Sequence, residues 1–201
     1  MSPPTMQGLI FSVQLLVVLA VALFSYRGWR FLHSRTLAYV AWGFLSIGIG
    51  IALQILSLFL APLEAQTLLV SGSTLQTIGF FLLALSHFYT VRRTSVLFIA
   101  SPFLEIQITH PFLSTFEAVA DSVAFFLLLY ILAETIISFY KERAKMQLLP
   151  VVGFFLLTVS VYSRLFLSGF TTGTLFIDVT SLLGYAVLAG PVLMFAGGRG
   201  N

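Results

Sequence analysis

The chain has no cysteine, only three histidines in 201 residues, and charged side chains at just 8% of its positions. Each scarcity closes a class of function. Without cysteine there is no disulfide, no thiolate nucleophile and no iron–sulfur cluster, and thiol usage says nothing of the redox compartment. The histidines are His33, His87 and His110. No two are four apart, so the clustered ligands of an intramembrane zinc hydrolase are missing. Bis-histidine haem ligation is not expected, because His87 and His110 fall near opposite sides of a bilayer. An intramembrane serine protease would need a histidine level with Ser73, and only His110 comes near. The last apolar stretch holds no lysine, which excludes a retinal Schiff base there. Phosphate-binding glycine loops are absent too. The cofactor is therefore unknown, and no metal site is expected.

What the chain does have is apolar length. Hydrophobic residues make up 59% of it and mean hydropathy is +1.04, whereas a soluble domain carries about 25% charged residues. Seven stretches read as helices: about Gln7–Ser25, Thr36–Leu60, Thr67–Thr90, Thr94–Thr109, Ser114–Tyr140, Met146–Leu167 and Thr174–Phe195. A crossing needs about 20 residues, so seven leave only short loops and no room for a water-soluble domain. The expected fold is all-α: residues 1–201 as one polytopic integral membrane domain of seven transmembrane helices. The opening MSPPTMQ lacks a basic region, so the first stretch reads as a retained helix, not a signal peptide.

Charge then orients the chain. Of ten Lys and Arg residues, nine lie in alternate gaps: Arg27, Arg30 and Arg35, then Arg92 and Arg93, then Lys141, Arg143 and Lys145, and finally Arg199. Basic loops stay on the cytoplasmic side. The pattern predicts a multi-pass cell-membrane protein with its N-terminus outside and its C-terminus inside. The positive charge then faces anionic lipid headgroups, not nucleic acid.

Within the stretches, Ser46/Gly50 and Gly48/Ala52 are small-xxx-small pairs that permit close helix approach. The fourth stretch is short and polar around Pro102, and Gly190-Pro191 is expected to interrupt the seventh. Tyr26-Arg27 against Tyr140-Lys141, and Gly43-Phe44 against Gly153-Phe154, admit a 3+1+3 arrangement in which the fourth helix links two parallel triplets.

Ionisable groups inside a bilayer are costly and call for an explanation. Glu117 and Asp121 share a helix face, and with Glu105 and His110 they could line an outward-facing polar vestibule that binds an ion or polar ligand. Arg164 is the one cation on the outer side. It is expected to pair with Asp178 across the sixth and seventh helices, both lying about one turn below the outer surface. Glu134, near the inner end of the fifth stretch, is an inner-leaflet candidate, expected to form an interfacial ion pair with Lys141 or the Arg92-Arg93 loop. No catalytic constellation emerges. The leading expectation is a non-enzymatic protein, either an accessory subunit of a larger membrane complex or a sensor-type bundle, with other membrane subunits or a second copy as partners. A small transporter or ion/proton pathway using these carboxylates comes next, and a lipid-acting enzyme third.

Overall fold

The structure, a computed structural model, describes residues 3–90, 115–142, 148–167 and 171–197. They form six helices: α1 (Pro3–Leu32), α2 (Arg35–Ser57), α3 (Pro62–Thr90), α4 (Thr115–Glu142), α5 (Leu148–Leu167) and α6 (Thr171–Gly197). In a stretch without water the backbone must satisfy its own hydrogen bonds, and a helix does so within one segment. Five of the six contain spans long and apolar enough to cross a membrane, and α6 holds a shorter apolar run, Thr174–Gly190. This is a helical membrane protein. The fourth expected stretch, about Thr94–Thr109, lies outside the described residues.

The helices depart from the hydropathy limits for physical reasons. α1 continues past Ser25 to Leu32 because leaving the apolar layer breaks none of its internal bonds. Pro62 opens α3 at a position where a missing N–H costs nothing. α6 runs on through Gly190-Pro191 instead of breaking there; membrane helices tolerate proline when the freed backbone groups are satisfied nearby. The turn between α1 and α2 is tight, with His33 at φ 49°.

Successive helices pack side by side, and α6 closes on α1, so the six form a ring. Their directions follow from a few contacts. Gly43 meets Gly79 while Gly50 meets Gly72, so α2 and α3 are antiparallel. Asp121 meets Arg164 and Phe125 meets Tyr162, so α4 and α5 are antiparallel as well. The Thr77 hydroxyl donates to the Ala120 carbonyl at 3.0 Å, which sets α3 level with the start of α4. Farther along α3, the His87 ring lies 6.1 Å from that of Phe154, early in α5. Moving forward along α3 is thus moving backward along α5. It follows that α3 and α4, although consecutive here, run parallel.

The starts of α1, α3, α4 and α6 therefore share one end with the finishes of α2 and α5. Exposed Glu64 lies at that end, and exposed Arg27, Arg30, Arg35 and Lys141 lie at the other. We call them the acidic and basic ends. Between mid-height and the basic end the buried residues are mainly apolar, Phe44, Ile47, Leu83, Leu128, Ile131, Phe154 and Leu188 among them. The surface is apolar too, with Leu16 at 69% and Trp42 at 53% exposure, as a lipid-facing surface would be.

Without a hydrophobic drive in lipid, helices associate through close packing. The α2–α3 seam depends on it. A Cβ on Gly50 would stand 2.6 Å from the Gly72 carbonyl oxygen, and one on Gly79 would stand 2.6 Å from that of Gly43. Of the small residues on α2, Ser46 donates to the Leu75 carbonyl of α3 at 2.7 Å, while Gly48 takes Val18 and Leu19 of α1.

Candidate functional site

Buried polar side chains gather toward the acidic end: Gln14 on α1, Gln54 and Ser57 on α2, Ser73 and Gln76 on α3, Asp121 on α4, Ser163 on α5, and Asp178 and Ser181 on α6. Some close helix pairs. Gln76 Nε2 donates to Gln54 Oε1 at 3.0 Å across α2 and α3. Gln14 Nε2 donates to the Asp178 carbonyl at 2.9 Å and to Ser181 Oγ at 2.6 Å, which fastens α1 to α6 and closes the ring. Ser57 donates to the Gln54 carbonyl of its own helix at 2.7 Å. Near the basic end, buried Ser86 and Thr135 likewise donate to Leu83 and Ile131 of their own helices, each at 2.6 Å.

The charged centre lies where α4, α5 and α6 meet. Arg164 Nη1 is 3.5 Å from Asp121 Oδ1, with the Arg164 side chain 21% exposed and that of Asp121 5%. The short connection between α4 and α5 brings the start of one level with the finish of the other, and this sets the pairing. Arg164 was expected to pair with Asp178; it stands at ion-pair distance from Asp121. Asp178 lies alongside, within the field of the guanidinium, with the Gln7 side chain beside its carboxyl. Its second oxygen, Oδ2, is buried and has no hydrogen-bond partner, and Ser73 Oγ shares that condition. The hydroxyl of Tyr185, a buried residue, also lies within the field of Arg164.

Asp121 is 4% exposed and packs where α4 faces α5, against Arg164. Glu117 lies one turn earlier on α4. Glu105 and His110 lie outside the described residues. Glu134 is half-buried near the basic end of α4, one turn from Tyr130, on which its charge acts. Among the described residues it forms no ion pair, and no three Asp, Glu or His side chains come together as a metal site would require.

Sequence reasoning missed the amides. Gln7, Gln14, Gln54 and Gln76 were given no role there. Yet each is a polar group that a membrane helix can hold only against a partner, and Gln14 stands alone amid Phe, Val and Leu. That isolation was the available signal. Compared with family models, curated proteins and solved structures, the chain matches none, so the chemistry of this centre rests on its own residues.

Proposed function

We propose that this protein is a seven-crossing, non-enzymatic bundle of the plasma membrane, N-terminus outside and C-terminus inside, acting as a sensor-type or accessory subunit. The odd number of crossings is supported by the parallel α3 and α4. Residues 91–114 have to join the basic end of α3 to the acidic end of α4, a climb of about 27 Å at 1.5 Å per residue. A return across the bilayer meets that requirement, and the apolar run from Ser95 to Leu104 suits it. The orientation is supported by the exposed arginines and Lys141 gathered at one end.

A 3+1+3 arrangement gains support as well. α1–α3 and α4–α6 run in the same sense, and each triplet joins its second and third helices through glycine. Gly43 meets Gly79 in the first and Gly153 meets Gly184 in the second. The Phe that follows, Phe44 or Phe154, is buried each time.

The single observation that carries the role is the one-sidedness of the interior. Charged and amide side chains occupy the acidic half, and among the described residues Leu128, Ile131, Leu157 and their neighbours close the other half with apolar contacts. A polar interior that ends blindly suits binding or sensing from one side better than conduction. Reconstitution tests this. Proteoliposomes should pass neither protons nor alkali ions, and after mild extraction the chain should migrate on native gels with other membrane subunits or a second copy. The buried carboxylates favour a second reading, a proton or ion pathway. Sustained flux abolished by Asp178→Asn would establish that reading and overturn ours.

A further inference from the structure

We propose that Asp178, with Arg164 and Asp121, forms an exchange site for one monovalent cation, a proton or an alkali ion, entering from the acidic end. The inference deepens the sensing role, naming what is sensed, and rests on that role only for the side of entry.

Charge balance is the first ground. One guanidinium stands among two carboxylates, so the fully ionised centre carries one net negative charge. Asp121 and Asp178 are 4% and 6% exposed, and a buried charge without compensation is among the most expensive things a fold can hold. Hydrogen bonding is the second ground. The donors near Asp178 are spent elsewhere. Gln14 serves the Asp178 backbone carbonyl and Ser181 Oγ, the Ser181 hydroxyl serves the same carbonyl at 3.0 Å, and that of Ser160 serves Ile177 at 3.0 Å. Gln7 reaches one side of the carboxyl, and Oδ2 is left without a partner. The protein thus binds the backbone around Asp178 closely and leaves one oxygen of its side chain open.

Among the described residues, the surroundings add no further charge at this level. From α1 come the uncharged Gln7 and Gln14; from α5, Arg164; from α4, Asp121 behind the arginine; and from α6 itself, the buried phenol of Tyr185. A single positive charge neutralises the centre. A proton does so by forming one O–H bond on the Asp178 carboxylate, giving a neutral acid with no electron transferred; an alkali ion does so by coordination. Arg164, 21% exposed, marks the edge through which either would pass.

The test uses the full chain in lipid nanodiscs. Thermal unfolding is followed across mildly acidic to mildly alkaline pH in sodium-free buffer, and then at fixed pH with added sodium or lithium chloride against choline chloride. For one site, each tenfold rise in the cation shifts the folded-to-unfolded ratio by up to about tenfold. This response should disappear in Asp178→Asn. It should also disappear in Asp121→Asn, where Arg164 alone neutralises Asp178. A protonated-carboxyl infrared band that is lost in Asp178→Asn assigns the cation as a proton; stabilisation by sodium or lithium but not choline assigns an alkali ion. Wild-type-like responses in both variants would overturn the proposal. Should Asp178→Asn fail to fold, Asp121→Asn decides alone, since a simple acidic cluster would keep responding without Asp121. Flux abolished by Asp178→Asn would overturn the sensing role while leaving a cation at Asp178, and no test of crossing number bears on this result, so the two proposals can fail separately.

Discussion

At the level of Leu128 and Ile131 the ring interior is dry, and both side chains are at 0% exposure. Two turns back along the same helix, Asp121 stands 3.5 Å from Arg164, with the amides of Gln7 and Gln14 close to Asp178. One helix thus passes from a charged interior to an apolar one, while its lipid-facing side keeps its character throughout, as Val123 and Ile137 show. The rims differ in the opposite sense: the dry half carries the exposed arginines and the charged half exposes Glu64. In the basic half, Arg27, Arg30, Arg35 and Lys141 are kept at the surface, where basic side chains can bias how a membrane protein sits. In the acidic half, charge is taken inside, where it can act only through what binds it.

Substitutions can break this contrast, and their expected costs follow the interior. The largest effect is expected from Arg164→Gln, which strands the buried Asp121 carboxylate. Breaking a buried pair costs about 3–5 kcal/mol, with the partial exposure of Arg164 favouring the lower figure, and chemical unfolding in detergent would measure it. In the dry half Leu128→Ala should cost roughly 2–5 kcal/mol, with no change in the response to pH or sodium, in contrast to the Asp178 and Asp121 variants. Gly50→Ala, on the seam joining α2 to α3, meets backbone oxygen and should cost about 1–3 kcal/mol; unchanged stability there would mean that the two helices stand farther apart. Gln14→Leu removes the amide that fastens α1 to α6, for roughly 0.6–1.7 kcal/mol, read in the same assay. Smallest of all, Lys141→Gln at the basic rim should change stability by about 1 kcal/mol or less, read in the same assay.

Much of this was legible in the sequence, because depth along a helix is written in hydropathy. Thr115–Glu142 and Leu148–Leu167 lie within two residues of the apolar stretches that predicted them, and Arg164 and Asp178 were placed at similar depth. Position around the ring was not legible. A hairpin tells which helices are neighbours in sequence, so Asp178 was the natural partner for Arg164; that α4 also brings Asp121 to the guanidinium depends on packing that no periodicity records. The closing of α6 on α1 was hidden for the same reason, since contacts such as Gln14 to Ser181 join the two ends of the chain. Gly190-Pro191 was read as a break because local preference says so, yet α6 continues through it.

The absence of native cysteine makes the most direct measurement a clean one. Single cysteines introduced as Glu64→Cys, Glu117→Cys and Lys141→Cys, treated in intact cells with a membrane-impermeant maleimide, compare the start of α3, the start of α4 and the finish of α4. Parallel α3 and α4 joined across the bilayer predict that the first two label from outside and the third labels only after permeabilisation. If the cysteine at 141 labels in intact cells, or if those at 64 and 117 report opposite sides, the seven-crossing orientation is wrong.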